Sequence, residues 1–300
     1  MRSLIRLMRP LQWVKNGFVL VGLLFGHAWN DPLRVGQALL ACAAFCLLSS
    51  AVYVMNDLVD RQADRRHPLK RRRPLASGAV GVPAALALMT ACLAGGYALV
   101  EVSDSRAAWL FYVYVALNIA YTLGLKHVVV LDVFIIAAGF MLRILAGTLG
   151  IGIAPSQWLL LCGLMLTLFL GFAKRRAELG AMAATGTPGD AASGHAASHR
   201  RVLGHYSPAL LDQMIAVATA GTIVSYSLYT VSPETLALHG TPHLIYTVPL
   251  VIYGMFRYLF LLHRRGGGGD PAQQLLTDPH LLAALAGWVV LLLLMLGRSV

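Results

Sequence analysis

The sequence has 300 residues, of which 58% are hydrophobic and only 12% are charged, whereas soluble globular domains carry about 25% charged residues. A mean hydropathy of +0.68 argues against a soluble helical protein, which needs a largely polar surface. The net charge is +11, but the basic residues form short clusters between apolar runs and no basic, aromatic-rich surface, so nucleic acid is not an expected partner.

The apolar runs are long and follow one another along the whole chain. Crossing the hydrocarbon core of a bilayer takes about 20 helical residues, and the alternating pattern of a membrane β-barrel is missing, so the runs predict helices. The nine predicted spans are approximately residues 16–30, 36–56, 82–101, 107–124, 128–149, 157–173, 210–231, 243–263 and 281–297. The expected fold is therefore all-α, a polytopic membrane protein with a nine-helix transmembrane bundle.

The lysine and arginine residues between the spans predict the orientation. If the N-terminus lies inside, the inner segments hold 19 of them and the outer segments hold three, Arg34, Arg106 and Arg298. Such an excess on one side is the positive-inside pattern of membrane proteins. The sequence thus predicts a multi-pass protein of the inner (plasma) membrane whose N-terminus is cytoplasmic.

Two of the inner loops are much longer than the others, at 57–81 and at 174–209. The outer loops are short and nearly neutral, so the chemistry is expected on the inner face. The chain shows no fixed repeat and no second domain. It predicts one transmembrane catalytic domain over residues 1–300, with its site on the two long cytoplasmic loops.

The first cluster of polar residues begins where the second span ends and contains Asn56, Asp57, Asp60 and Asp64. Residues three and four apart share one face of a helix, and carboxylates stacked on one face repel one another unless a cation lies among them. Mg²⁺ prefers such oxygen ligands and commonly bridges carboxylates to substrate phosphates. The pattern predicts a Mg²⁺ site; the alternative is a solvated helix end whose acids pair with Arg61 or Arg65.

A basic run follows directly and contains Arg65, Arg66, His67, Lys70, Arg71, Arg72 and Arg73. Pro68 and Pro74 end the helix and shape the loop. Guanidinium and ammonium groups beside a metal suit a diphosphate, because the metal neutralises some of its oxygens and the cations hold the others. Part of this run also serves as the positive-inside signal.

Further polar residues lie in or beside the fourth and fifth spans. Tyr121 and Lys126 stand at the inner end of the fourth span, and Asp132 and Arg143 lie in the fifth. The last two are about three helical turns apart, too far to pair directly. An arginine within a membrane helix usually faces the bundle interior, so a substrate-binding role and a structural ion pair both remain open for Arg143.

Two more groups stand at inner helix ends. The sixth span ends in a cationic cluster, Lys174, Arg175 and Arg176, with Glu178 close behind it. The first span starts with Lys15 and Asn16. The alternative for both groups is a plain cytoplasmic anchor.

At this point the residues resemble a known family. The stretch NDLVDRQADRRHPLKRRRP, from Asn56 to Pro74, matches the pattern NDxxDxxxDRxHPxKxxRP and is similar to the first motif of the UbiA superfamily of intramembrane prenyltransferases. The opening RPLQWVKN and the stretch LGFAKRRAEL resemble the branch that forms decaprenylphosphoryl-5-phosphoribose for actinobacterial cell-wall arabinan. The resemblance covers essentially the whole chain and implies nine helices with polar motifs after helices 2 and 6.

One departure from the prenyltransferase members distinguishes the branches. Those members carry a second acidic motif after helix 6, where this chain has three cations and one acid. Cations bind phosphate but do not ligate Mg²⁺, which favours substrates with phosphates beyond the leaving diphosphate. The resemblance therefore implies a Mg²⁺-dependent glycosyltransferase that moves 5-phosphoribose from phosphoribosyl pyrophosphate to a polyprenyl (decaprenyl) phosphate and releases diphosphate.

The resemblance also implies roles for individual residues. The expected metal ligands are Asn56, Asp57, Asp60 and Asp64; the three aspartates are also the expected catalytic residues, with Asp57 stabilising an oxocarbenium-like C1. The expected substrate-binding residues are Lys15, Asn16, Arg65, Lys70, Arg73, Tyr121, Lys126, Arg143, Lys174 and Arg175.

Two other functions remain open from the sequence. A prenyltransferase that moves a prenyl group from prenyl diphosphate to an aromatic acceptor would share the fold and the metal site. A membrane transporter of a phosphorylated solute would place its polar groups near the bilayer midplane, whereas the charges here gather at one interface. Assembly into a homo-oligomer is compatible with the sequence, which does not define an oligomeric state.

Overall fold

The structure is a computed structural model that describes residues 2–66, 70–184, 203–264 and 277–297. All regular elements within these ranges are helical, which confirms the all-α prediction. The α-helices are α1 (Arg2–Met8), α2 (Val21–Phe25), α3 (Pro32–Val59), α4 (Arg61–Arg66), α5 (Val82–Val102), α6 (Trp109–Leu123), α7 (Leu131–Ala146), α8 (Gln157–Ala184), α9 (Pro208–Val231), α10 (Pro233–His239), α11 (Val248–Arg264) and α12 (Pro279–Gly297). Short 3₁₀ helices occupy Pro10–Leu20, Lys70–Arg72, Leu125–His127, Leu149–Ile151 and His243–Thr247.

Seven helical segments in the described part of the chain are long and apolar enough to cross a membrane. They contain α3, α5, α7, α8, α9, α11 and α12, and so agree with seven of the predicted spans. Helix α6 is also apolar but has only 15 residues. The predicted first span, 16–30, differs most, because the 3₁₀ helix Pro10–Leu20 and the short α2 replace a continuous α-helix. The predicted count of nine spans is therefore not reproduced.

Glycines explain the interrupted start of the chain. A Cβ added at Gly22 would lie 1.7 Å from the carbonyl oxygen of Gly147, and one added at Gly147 would lie 1.7 Å from the carbonyl oxygen of Val19. The backbone around α2 thus packs directly on the end of α7, as small residues permit in membrane bundles. This close approach favours a local bend over a regular helix.

The described residues form two compact units. The first unit contains residues 2–155, and the second begins at Ser156 and contains the remaining helices. A single catalytic domain over 1–300 stays a prediction, and each unit is described by itself.

In the first unit, aromatic side chains from α3 and α6 form the centre of the core. The ring of Phe45 packs 4.6 Å from that of Phe111 and 5.2 Å from that of Tyr114, measured between centroids. Gly96 of α5 packs against Leu48, since a Cβ there would lie 2.7 Å from the leucine side chain. This packing fixes α3, whose C-terminal end carries the predicted site.

In the second unit, polar contacts join helices that are otherwise apolar. The hydroxyl groups of Tyr226 in α9 and Thr247 lie 2.6 Å apart, and the indole nitrogen of Trp288 in α12 donates to Tyr226 at 2.8 Å. Arg257 in α11 makes two hydrogen bonds to Asp278, which caps α12 by accepting from the backbone of Leu281.

Candidate active site

The predicted acidic cluster lies where α3 ends and α4 begins. Helix α3 stops at Val59, but the backbone N–H of Asp60 still donates to Asn56 and that of Asp64 to Asp60, at 2.9 and 2.8 Å. These bonds keep the four-residue helical register across the break between the two helices. The backbone positions of the acidic residues are therefore fixed relative to one another.

Asp57 and Asp64 converge on a single cation. Nη1 of Arg73 donates to Oδ1 of Asp57 at 3.0 Å and to Oδ2 of Asp64 at 2.7 Å. Both carboxylate side chains are almost fully buried, at 3% and 4% exposure. Since burying a carboxylate without compensation is costly, the guanidinium group stabilises both charges. Arg73, in the loop after α4, thus joins Asp57 of α3 to Asp64 of α4.

Arg9 is a second cation on the same carboxylate, a site residue that was not predicted from the sequence. Its Nη2 donates to Oδ1 of Asp57 at 2.5 Å, and its guanidinium lies 5.0 Å from the ring centre of Tyr53. The Arg9 backbone is left-handed, at φ 55°, a conformation that is uncommon outside glycine and often found at functional sites. Its place in the RPLQWVKN stretch was the available signal.

Asn56 and Asp60 have other partners, one in the last turn of α6 and one in the short 3₁₀ helix that follows it. Lys126 donates to Oδ1 of Asp60 at 3.2 Å, and its own side chain is 7% exposed. The side-chain oxygen of Asn56 accepts a hydrogen bond from Thr122, which was not predicted from the sequence either. The next loop is strained as well, since Val130 has φ 69°, which a β-branched residue rarely adopts.

The four predicted metal ligands thus divide into two pairs. Within the described residues, no three His, Cys, Asp or Glu side chains lie close enough together to form a metal site. Asp57 and Asp64 nevertheless fit a divalent cation, because one carboxylate oxygen from each already lies within 3.0 Å of the same positively charged group. Mg²⁺ is usually bound by one or two carboxylates with substrate phosphates completing the shell, so this pair suffices.

The basic residues that follow the acidic cluster make different contacts. Arg73 lies against the carboxylates, whereas Arg65 donates to the backbone carbonyl of Ala76 at 3.2 Å and holds the following turn. Lys70 begins the short 3₁₀ helix of this loop and is half-buried. His67 and Pro68, which complete the sequence motif, lie outside the described residues.

Asn16 and Arg143, both predicted to bind substrate, meet inside the first unit. Nε of Arg143 donates to Oδ1 of Asn16 at 2.7 Å, and its two other nitrogens donate to the Gly139 carbonyl and the Tyr114 hydroxyl. Asn16 is fully buried and Arg143 is 6% exposed. Arg143 therefore faces the bundle interior as expected, but its described partners are neutral groups and not a carboxylate.

The remaining predicted residues are distributed over both units. Lys15 and Tyr121 are half-buried in the first unit. In the second unit, Arg175 is buried and paired with Glu178 at 2.7 Å, while Arg176 donates to Asp212 of α9 at 2.9 Å. Lys174 precedes them on α8 and is half-buried. Helix α8 continues past this cationic cluster to Ala184, and the cluster is partly neutralised by Glu178 and Asp212.

Chemically, the first unit offers three buried or partly buried carboxylates in contact with three cations, Arg9, Arg73 and Lys126. Such a group can exchange carboxylates for phosphate oxygens, because both accept the same N–H donors. It can also hold a cation between Asp57 and Asp64.

Comparisons with known proteins identify the family of the chain. The profile of the UbiA prenyltransferase family matches residues 17–277. The decaprenyl-phosphate phosphoribosyltransferase of Corynebacterium glutamicum is 35% identical over 232 residues, which are 76% of this chain and 67% of that protein. The protein of the same name from Mycolicibacterium smegmatis is 33% identical over 77% of this chain and 71% of that protein.

The fold also resembles a solved structure. A UbiA homolog from Archaeoglobus fulgidus bound to DMAPP and Mg²⁺ aligns with a TM-score of 0.70 at 18% identity, covering 99% of this chain and 97% of that one. At this identity the likeness concerns the fold. Together with the profile match and the apolar helices, these comparisons show that the chain is an integral membrane protein of the UbiA prenyltransferase family.

Proposed function

We propose that this chain transfers 5-phosphoribose from phosphoribosyl pyrophosphate to a polyprenyl phosphate, with release of diphosphate. The observation that carries the proposal is the convergence of Asp57 and Asp64 on one guanidinium nitrogen of Arg73, with Arg9 and Lys126 beside them. The names of the relatives support decaprenyl phosphate as the acceptor. The product would then be a precursor of cell-wall arabinan, made at the cytoplasmic face of the inner membrane.

The reaction forms one bond and breaks one bond at the same carbon. An oxygen of the acceptor phosphate attacks C1 of the ribose, and the bond from C1 to the diphosphate oxygen breaks, so the electron pair leaves with diphosphate. The acceptor phosphate is already ionised at neutral pH and needs positioning more than a general base. A carboxylate near C1 stabilises the positive charge that develops there, and we assign this role to Asp57.

The cations of the first unit bind the phosphates in this proposal. Arg9, Arg73 and Lys126 are each paired with a carboxylate, and an incoming phosphate oxygen accepts from the same groups. Preorganised cations stabilise negative charge that grows on the leaving group, without reorganisation during the reaction. The buried environment strengthens this interaction, since less water competes for the charges.

A divalent cation, Mg²⁺ by analogy with the Archaeoglobus homolog, would be held by Asp57 and Asp64 and would neutralise charge on the diphosphate. Asn56 and Asp60 stay predicted ligands, since their described partners are Thr122 and Lys126. In the second unit, Lys174 and Arg175 stay predicted phosphate ligands. Arg175 already donates to Glu178, so a phosphate would have to compete with this carboxylate for Arg175, and Lys174 is the preferred candidate.

One assay tests the proposal. Purified protein is incubated with Mg²⁺, decaprenyl phosphate and ¹⁴C-labelled phosphoribosyl pyrophosphate, and the lipid extract is examined for label. Labelled lipid in the wild type but not in Asp57→Asn supports the function. A parallel reaction uses prenyl diphosphate and 4-hydroxybenzoate; prenylated product there, with no labelled lipid in the first reaction, would replace our proposal by prenyl transfer to an aromatic acceptor.

A further inference from the structure

A polar cavity lies in the first unit at the start of α3, far from the candidate active site. Its volume is about 420 Å³, and its lining includes Asp31, Arg34, Asp104, Arg106 and Gly152. Arg34 and Asp57 of α3 are 23 positions apart, which corresponds to about 35 Å at the helical rise of 1.5 Å per residue. That distance exceeds the thickness of the hydrocarbon core, about 30 Å. The cavity therefore faces the opposite leaflet from the carboxylates.

The position of the two arginines is unusual for a membrane protein of this charge pattern. Only three arginines and no lysines fall in the segments predicted to be outside, and two of them, Arg34 and Arg106, line this one cavity. The positive-inside bias disfavours such residues on this side. Their convergence from separate segments therefore points to a ligand that they bind.

Two of the four charges in the cavity remain available to a ligand. Arg34 forms an ion pair with Asp31 at 3.2 Å. Arg106 and Asp104 are both exposed and form no ion pair with any residue that the structure describes. The cavity thus presents one guanidinium and one carboxylate, and its lining has no formal net charge.

Backbone contacts fix the loop that carries these two residues. The N–H of Arg106 donates to the carbonyl of Gly150 at 3.2 Å. A Cβ on Gly152, which has φ +76°, would lie 3.2 Å from Nη1 of Arg106, so the guanidinium packs against a residue without a side chain. Asp104 is left-handed at φ 48°, and such strain in a non-glycine residue is often found where ligands are clamped.

Exposed apolar residues lie close in the sequence to the charged lining residues, and one of them, Leu33, itself lines the cavity. Leu33 and Val102 are each 70% exposed and Trp109 is 57% exposed, and each lies within three residues of a charged lining residue. Tryptophan is enriched where the headgroups of a bilayer meet its hydrocarbon. A lipid whose acyl chains cover these side chains would place its headgroup at the cavity.

We propose that this cavity binds the zwitterionic headgroup of a phosphoethanolamine lipid in the leaflet opposite the active site. The phosphate accepts hydrogen bonds from Arg106, and the ammonium group donates to Asp104, each as a charge-assisted contact. A phosphocholine headgroup has no N–H with which to donate to Asp104. A phosphoglycerol headgroup has no cation for this carboxylate, so the chemistry of the cavity selects the primary ammonium.

The test uses delipidated full-length protein in detergent and native mass spectrometry. Palmitoyl-oleoyl phosphatidylethanolamine, the matched phosphatidylcholine and phosphatidylglycerol, and water-soluble glycerophosphoethanolamine are titrated separately. We expect phosphatidylethanolamine to bind roughly tenfold more tightly than the other two lipids, and Asp104→Asn and Arg106→Ala to abolish this preference, since a charge-assisted hydrogen bond is worth about that factor. Arg2→Ala, an exposed change in α1, should leave the preference unchanged.

The outcomes separate the sources of the headgroup. Tight binding of the lipid with weak binding of glycerophosphoethanolamine supports a lipid site. Equal affinity for both would overturn the assignment to a lipid and indicate a soluble phosphoethanolamine ligand. Equal affinity of the wild type for phosphatidylethanolamine and phosphatidylcholine would overturn the proposal. So would an unchanged preference in Asp104→Asn, a nearly isosteric change at an exposed residue that should not affect folding.

Discussion

Nε of Arg143 donates to Oδ1 of Asn16 at 2.7 Å, although the two residues are 127 positions apart in the chain. Both side chains lie inside the first unit, where the guanidinium is also surrounded by the rings of Phe45, Tyr114 and Phe140. A cation in this position is stabilised by hydrogen bonds and by aromatic faces. The contact joins α7 to the 3₁₀ helix that leads from Arg9 towards α2.

From this contact we predict that Arg143→Ala destabilises the protein. The change leaves three buried acceptors without their donor, which costs at least about 2 kcal/mol. The measurement is the thermal unfolding temperature of purified protein in detergent, with the exposed Arg2→Ala as control. Arg143→Lys should be intermediate, because it keeps the charge without the three-way geometry. Lost activity at an unchanged unfolding temperature would instead assign Arg143 to substrate binding.

We predict that Asp57→Asn and Asp64→Asn each lower turnover by roughly 100-fold or more, since electrostatic groups at a reacting centre commonly contribute that much. The amides keep the size of the carboxylates, so the unfolding temperature should fall little. Initial rates are measured over a range of Mg²⁺ concentrations. Asp31→Asn, at the other end of α3, is the matched control, and normal rates in both site variants would refute the assignment.

The close approach of two backbones yields a stability prediction. A methyl group at Gly147 would lie 1.7 Å from the carbonyl oxygen of Val19, so Gly147→Ala must push the 3₁₀ helix away from α7, at a cost of about 1–3 kcal/mol. Gly36→Ala in α3 is the control, because no atom lies within 4 Å of its added methyl group, and alanine favours a helix by about 1 kcal/mol. Thermal unfolding of both variants should shift in opposite directions; a Gly147→Ala protein as stable as wild type would contradict the packing.

The second unit has a pH-dependent contact. The hydrogen bond from Arg257 lowers the pKa of Asp278 to about 2, below its ordinary value near 3.9. A carboxylate with a lowered pKa stabilises the fold above its unfolded pKa, and this contribution is lost as the pH falls from about 4 to about 2. The difference in unfolding temperature between wild type and Asp278→Asn should therefore be largest above pH 4 and shrink towards pH 2. A constant difference over this range would contradict the prediction.

The effects of substrate binding and of folding can be separated at the cationic cluster of α8, Lys174–Arg176. Arg175 is buried and paired with Glu178, so Arg175→Ala should lower the unfolding temperature as well as activity. Lys174→Ala should raise the KM for a phosphorylated substrate, roughly tenfold for one lost charged contact, with little change in stability. Equal KM values for both substrates in Lys174→Ala and wild type would assign this lysine to membrane topology.

Much of the architecture follows from the sequence alone. Composition and apolar run length predict an all-α membrane protein, because a bilayer requires about 20 apolar residues per helix. The spacing of Asp57, Asp60 and Asp64 predicts an acidic cluster at the end of α3, since the helical period is local. The bend in the first span could not be predicted in this way, because it results from contact between Gly22 and Gly147, which are distant in the chain.

The sequence by itself determined the membrane class, seven of the spanning helices and the identity of the acidic and basic groups near the end of α3. Only the tertiary structure decided which cation meets which carboxylate: Arg9 reaches Asp57 from 48 positions away and Lys126 reaches Asp60 from 66. Local periodicity specifies the face of a helix on which a side chain lies. The partner on that face depends on how distant helices pack, and that is a property of the folded chain.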